Sequence, residues 1–273
     1  MRSVDGFELG PAPRDDPMAY PGALPPFSYL LTADGLERLE AVDEVGVVDG
    51  GLHERLAELG ATAMDRRHAV LAFGSNRSPA QLAAKFAGET DPVVPVVRAH
   101  LHDLSVVFTA GVATYGSVPA SLVVDPGATT EVAVTFLDDE QLVVMDGTEG
   151  AHHSRPVLAA EHGLCLVGGA EVAACRRYRS SRPVLTVDGR PVRLAEIGSV
   201  GSRLGARTQL DIQLLLLDVW RERLAPFADE RAFVAAVRGD PGVHEAANAA
   251  LRSLEPEPLG RIGSATVVWP DEG

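Results

Sequence analysis

The chain has 273 residues, which allows one large domain or a core with extensions at about 100–200 residues per domain. Hydrophobic residues make up 46% and charged residues 23%, so wholesale disorder is excluded and a sizeable core is possible. With 38 acidic against 24 basic residues the net charge is −14, a field that repels phosphate backbones and anionic lipid, so neither nucleic acid nor a membrane is an expected partner.

The two cysteines, Cys165 and Cys175, are too few for a disulfide framework or a Cys-rich zinc site and read as reduced thiols. The start of the chain lacks an apolar signal core, and no run of about 18 apolar residues occurs, so a soluble, cytoplasmic protein is expected. Lys85 is the only lysine, and the bias towards arginine reads as compositional.

Residues 1–28 carry six prolines, at 11, 13, 17, 21, 25 and 26. Proline at this density resists helix and sheet, so the segment reads as an arm, disordered or laid over the body. Residues 29–67 read as an N-terminal helical segment. Thr32 would cap a helix with Leu36, Leu39 and Val42 on its apolar face, and Leu52, Leu56 and Leu59 keep helical spacing in a second.

Residues 68–198 read as a strand-rich core. Val70–Phe73, Val93–Val97, Ser105–Phe108, Ala120–Val124 and Val132–Leu137 are apolar runs of strand length, the last two joined by the turn tripeptide Asp125-Pro126-Gly127. Leu164–Val167 and Glu171–Arg179 read as another pair, and Asp188-Gly189 as the tip of a hairpin between Leu185–Val187 and Pro191–Leu194. Many strands and few helices predict a mixed barrel or strongly curved sheet. Residues 199–273 read as a C-terminal helical extension. Leu210, Leu214, Leu217 and Leu224 lie on one helix face, Asp229 caps a helix carrying Phe233, Val234 and Val237, and Asp240-Pro241 opens a third. The leucine stripe packs a core or forms a homodimer interface.

The most informative stretch is Phe73-Gly74-Ser75-Asn76-Arg77-Ser78-Pro79-Ala80-Gln81-Leu82, which reads as strand, tight loop and helix. Ser78 and Gln81 have capping-box spacing, Pro79 fits the first helical position, and Leu82 and Phe86 share a face. Gly74 and Asn76 tolerate left-handed backbone, and such a loop can point several N–H groups at an anion or a developing oxyanion. A capped turn without a ligand is the plainer reading.

Phe73-Gly74-Ser75-Asn76 closely resembles the Tyr-Gly-Ser-Asn loop that opens γ-glutamyl cyclotransferase-like domains. Residues 119–127 followed by 132–137 look like that family's strand pair around a proline-glycine turn. Met145-Asp146-Gly147-Thr148-Glu149-Gly150 resembles its Leu-Asp-x-x-Glu-Gly segment. The matches keep their order over residues 68–180. The resemblance implies an α/β fold of the small mixed-barrel type, with a substrate-binding loop at Phe73, Gly74, Ser75, Asn76 and Arg77 and with Glu149 as catalytic acid/base. The implied reaction closes the substrate's α-amine onto its γ-carbonyl and releases 5-oxoproline, and it needs no cofactor and no metal. Three departures stand out: Phe73 replaces a tyrosine, Arg77 replaces an apolar residue, and Ala151-His152-His153-Ser154-Arg155 lacks the tyrosine that follows the family's Glu-Gly.

His152 and His153 are possible proton-transfer auxiliaries, and His100 and His102 would share one strand face. Arg176, Arg177, Arg179 and Arg182 read as a solvated sheet edge. The competing functional readings are a non-catalytic small-molecule-binding or assembly module on the same fold, and an amide-processing hydrolase relative.

Overall fold

The computed structural model describes residues 6–39, 50–149, 153–154, 157–159, 163–168, 172, 174–254 and 262–265. The chain opens with a hairpin of β1 (Tyr29–Thr32) and β2 (Gly35–Arg38), then helix α1 (Gly50–Glu58), β3 (His68–Ala72) and helix α2 (Pro79–Lys85). The spine is a long antiparallel pair, β4 (Val94–Phe108) and β5 (Ala120–Leu137), and helix α3 (Asp139–Glu149) follows directly. Three helices lie near the C-terminus: α4 (Gln209–Arg223), α5 (Glu230–Gly239) and α6 (Pro241–Arg252).

This is a mixed α/β architecture around one large sheet. β4 pairs with β5 from Val96 opposite Thr135 to Phe108 opposite Ala120, and elsewhere with β1, Leu164–Leu166 and Arg193–Leu194. β3 lies between β5, to which it is antiparallel, and Ala174–Arg177, to which it is parallel. Among the described residues the hydrogen-bonded path from Ala206–Arg207 to Val157–Ala159 does not return on itself, so the closure expected of a barrel is not seen there.

Successive strand residues point to opposite faces, and the two faces build two cores. Val70 and Ala72 of β3 pack with Leu82 of α2, with Phe86 just past its end, and with Leu142 and Met145 of α3. Leu71 and Phe73 belong to the opposite core, which α1, α4, α5 and α6 cover with Leu56, Trp220, Phe233 and Leu251. Trp220 and Phe233 stack with ring centroids 4.7 Å apart. The caps expected at Asp229 and Asp240 form: each carboxylate accepts from a backbone N–H in the first turn of its helix, Ala232 at 2.8 Å and Gly242 at 2.7 Å. Among the described residues no helix is long and apolar enough to cross a membrane.

Four local expectations are corrected. The helix capped by Thr32 does not form. Thr32 pairs with Gly35 around the two-residue loop Ala33-Asp34, and Tyr29, Leu30, Leu31 and Thr32 are all buried between β2 and β4. Four consecutive buried residues suit a strand covered on both sides, not an amphipathic helix. Val42, assigned to that helix, lies outside the described residues.

Asp125-Pro126-Gly127 does not reverse the chain either. His102 stands opposite Thr129 and Leu104 opposite Val124, so residues 125–128 bulge out of one strand across from Asp103. The bulge is pinned: the Gly127 N–H donates to Asp103 Oδ1 at 2.7 Å, and Asp125 accepts from the hydroxyls of Ser105 and Ser202. The connection between β4 and β5 is instead residues 109–119.

Leu164–Leu166 pairs with β4 and Ala174–Arg177 with β3 rather than as one ladder, although the Val172 N–H donates to the Leu164 carbonyl at 3.3 Å; Glu171 lies outside the described residues. On α4 the buried residues are Gln209, Ile212, Gln213, Leu216, Leu217 and Trp220, so Leu217 of the expected stripe faces inward while Leu210 and Leu214 are 44% and 46% exposed. Leucine at four successive positions, 214–217, supplies apolar side chains all round the helix and hides its phase. The hairpin at Asp188-Gly189 forms, with positive φ at both turn residues.

Candidate active site

The site lies where β3 runs out of the sheet. After Ala72 the chain passes through Phe73 and Gly74 into a 3₁₀ turn, Ser75–Arg77, and then into α2. The opening N–H groups of a helical turn have no partner within it, and Ser75 and Asn76 open this one. Both line a cavity of about 990 Å³ together with Phe73, Gly74 and Glu149.

Glu149 is the last residue of α3, and Lys85 the last of α2. The two helices pack on one sheet face through Leu82, Phe86, Leu142 and Met145, which brings their C-terminal ends together. Lys85 Nζ lies 2.7 Å from Glu149 Oε1 and also contacts Met145 Sδ at 3.2 Å; the Asn76 side-chain amide donates to the same Oε1 at 2.8 Å. The side chains are only 6% and 18% exposed, which takes this pair out of the class of weak surface ion pairs. Lys85 is a site residue that the sequence reading passed over. Its signal was there: it is the one lysine among 24 basic residues.

Gly74 serves the site in a different way from that expected. Neither it nor Asn76 has positive φ; Gly74 sits at φ −114°. A Cβ at Gly74 would stand 2.6 Å from the Tyr20 hydroxyl oxygen. That hydroxyl, which accepts from the Ala120 N–H at 2.9 Å, comes from the proline-rich arm. The arm is laid over the body: the Arg14 N–H donates to Gln81 Oε1, Arg14 Nη1 to the Ala84 carbonyl, and Gly22 packs onto Ser78. Gln81 is thereby engaged with the arm, and Ser78 makes no side-chain cap, so the capping box is absent. Gly74→Ala is expected to push Tyr20 off the loop and cost about 1–3 kcal/mol, the usual range for overpacking, read from urea unfolding. An unchanged midpoint would show that the arm yields freely.

No tyrosine follows Glu149-Gly150 closely in the sequence, but tyrosines from elsewhere in the chain reach the cavity. Tyr20, Tyr115 and Tyr178, three of the chain's four tyrosines, line the cavity. Tyr115 comes from the 109–119 connection and faces Ser117 and Ser75. Burial pushes the Tyr20 and Tyr115 hydroxyls above the ordinary tyrosine range, and the nearby Glu149 carboxylate adds to this. Both are therefore neutral O–H groups at physiological pH. Tyr178 donates to Asp146 Oδ1 at 2.5 Å.

Arg77 is not a substrate-facing cation. It is 5% exposed, its Nη1 donates to the Glu131 carbonyl at 2.6 Å, and burial pushes it down to about 10. It braces the loop against β5 from behind. The arginine cluster is likewise not a solvated edge: Arg177 is 1% exposed and Arg182 lines the cavity. His152 lies outside the described residues, and His153 is described only as a strand residue paired with Ser180. His102 Nδ1 lies 3.1 Å from Thr129 Oγ1.

No family model matches the chain, and no curated protein matches it. Among solved structures, an uncharacterized protein from Homo sapiens shows 19% identity and a TM-score of 0.36, over 43% of this chain and 71% of that one. A structure described as a gamma-glutamyl cyclotransferase shows 14% identity and a TM-score of 0.36, over 74% and 94%. A protein from Arabidopsis thaliana shows 21% identity and a TM-score of 0.32, over 44% and 66%. Likenesses this distant carry no argument about activity.

Proposed function

We propose that the protein is a cyclotransferase of the γ-glutamyl type, releasing 5-oxoproline from a γ-glutamyl amide or peptide. The observation that carries this reading is the placement of Glu149 in one cavity with Gly74, Ser75 and Asn76, hydrogen-bonded to the last of them. A carboxylate facing a loop that resembles a substrate-binding loop supplies the two things the reaction needs.

The substrate brings its own nucleophile. Its α-amine reaches the γ-carbonyl carbon to close a five-membered ring, and tethering makes the effective concentration high. Glu149 accepts a proton from the ammonium, and the free amine adds to the γ-carbonyl carbon. The C–N bond of the amide then breaks as Glu149 returns the proton to the leaving nitrogen, and the ring nitrogen's remaining extra proton goes to the released amine. Lys85 and Asn76 both donate to Oε1 and so orient the carboxylate. The loop N–H groups and the neutral Tyr115 hydroxyl are the donors for the substrate carboxylate and the developing oxyanion. No cofactor or metal enters this scheme.

A binding module without turnover is the second reading, and the Lys85–Glu149 pair favours it, because a proton arriving at Glu149 weakens its attraction to a nearly buried ammonium. Incubation with γ-glutamyl dipeptides, glutathione and γ-glutamylamines, followed by assay for 5-oxoproline, separates the two. The cyclotransferase reading expects product from at least one of them. Binding without product across the panel favours the module.

A further inference from the structure

The cavity is larger than a glutamyl group requires. Its 990 Å³ stands at the top of the roughly 300–1,000 Å³ range of pockets for drug-sized ligands. One wall of it is made by α5 and α6 through Arg238, His244, Glu245, Asn248 and Arg252. In a chain of net charge −14, the lining holds five cations, Arg14, Lys85, Arg182, Arg238 and Arg252, against two carboxylates. Lys85 is matched by Glu149 and Arg252 by Glu245, the latter at 2.7 Å.

Arg182 is built into this wall. A Cβ on Gly111 would stand 2.4 Å from Arg182 Cδ and 2.9 Å from Nε, so only glycine lets the side chain lie where it does. Arg182 Nη1 donates to the Val112 carbonyl at 3.3 Å, which also meets His244 Nε2 at 2.9 Å and Asn248 Nδ2 at 3.1 Å. The guanidinium thus meets a neutral carbonyl, and its charged neighbours are Arg252, which repels it, and Glu245, which Arg252 already engages. Two guanidinium groups around one carboxylate leave net positive charge on this part of the cavity lining.

We propose that this wall is a subsite for an anionic group on the leaving half of the substrate, a carboxylate or a phosphate, held by Arg182 and Arg252. Guanidinium groups recognise either through paired N–H donors. The inference deepens the cyclotransferase reading and rests on it for the location of the scissile bond. It selects substrates whose released amine carries a negative charge over γ-glutamyl alkylamines.

The test compares γ-glutamyl-glycine, its carboxamide and γ-glutamyl-aminomethylphosphonate on the full-length protein. The first and third are expected to exceed the carboxamide in kcat/KM by about 10- to 100-fold, the size of a lost charged hydrogen bond. Their ratio to each other tells carboxylate from phosphate as the preferred group. In Arg252→Gln, on an exposed side chain, and in Gly111→Ala, which displaces Arg182, that ratio to the carboxamide is expected to collapse towards one. Equal kcat/KM for the acid and the carboxamide in the unaltered protein overturns the subsite and leaves the cyclotransferase reading standing. If none of the three is turned over, calorimetric binding of the same compounds decides. Charge-dependent binding that Arg252→Gln removes supports the subsite although the reaction fails, and equal binding of acid and carboxamide overturns it.

Discussion

Glu149→Gln is expected to lower 5-oxoproline release by about 10²- to 10⁴-fold, the usual contribution of a positioned general acid/base. The substitution is nearly isosteric, and the amide oxygen still accepts from Asn76 and Lys85, so the cavity keeps its shape. What is lost is the group that takes the proton from the attacking amine. A stability cost accompanies it, because Lys85, 6% exposed, loses its counter-charge. The rate and the urea midpoint are therefore measured on the same preparation. A fall in kcat with a retained unfolding transition supports the role; an unchanged kcat sinks it, whatever happens to the midpoint.

The largest effect on stability is expected in the other core from the one that α3 packs into. Trp220→Ala is expected to cost about 3–5 kcal/mol, the range for deleting a large aromatic from a packed core. Trp220 is fully buried on α4 and stacks on Phe233 of α5, whose ring meets Phe227 at 5.4 Å. The cost reaches the cavity, because the same helical layer carries His244 and Asn248, which hold the Val112 carbonyl. Trp220→Phe is expected to lose much less. The indole Nε1 has no hydrogen-bond partner among the described residues, so phenylalanine keeps most of the stacking and discards an unsatisfied donor. A loss from Trp220→Ala no greater than that from Trp220→Phe would show that the helical layer does not depend on this stack.

The elements legible in the sequence were those whose signals are local. Pro79 after Ser78, Asp229 and Asp240 before apolar helical spacing, and Asp188-Gly189 between two strands each determine their own neighbourhood through a dihedral or a hydrogen bond a few residues away. Where local chemistry admitted two outcomes, packing chose. Thr32 could cap a helix or end a strand, and burial between β2 and β4 made it a strand end. Asp125-Pro126-Gly127 has turn composition, yet Asp103, Ser105 and Ser202 hold it as a bulge. The capping box failed because Gln81 meets Arg14, 67 residues away.

The sequence by itself determined the α/β class, the strand–loop–helix at Gly74 and the candidacy of Glu149. These follow from residue order, from short-range sterics and from a resemblance carried by consecutive residues. Only the tertiary structure decided what surrounds the carboxylate. Lys85 reaches Glu149 because α2 and α3 share a sheet face. Tyr20 reaches Gly74 because the proline-rich arm lies against α2 and the start of β5, and Tyr115 enters because β4 and β5 run on past the bulge to a later connection. Arg77, adjacent in sequence to the loop, turns away into the core, whereas Arg182 and Arg252 line the cavity from distant segments. Side-chain direction and long-range packing are not encoded in spacing along the chain, and the charge that a pocket presents is assembled only when distant segments meet.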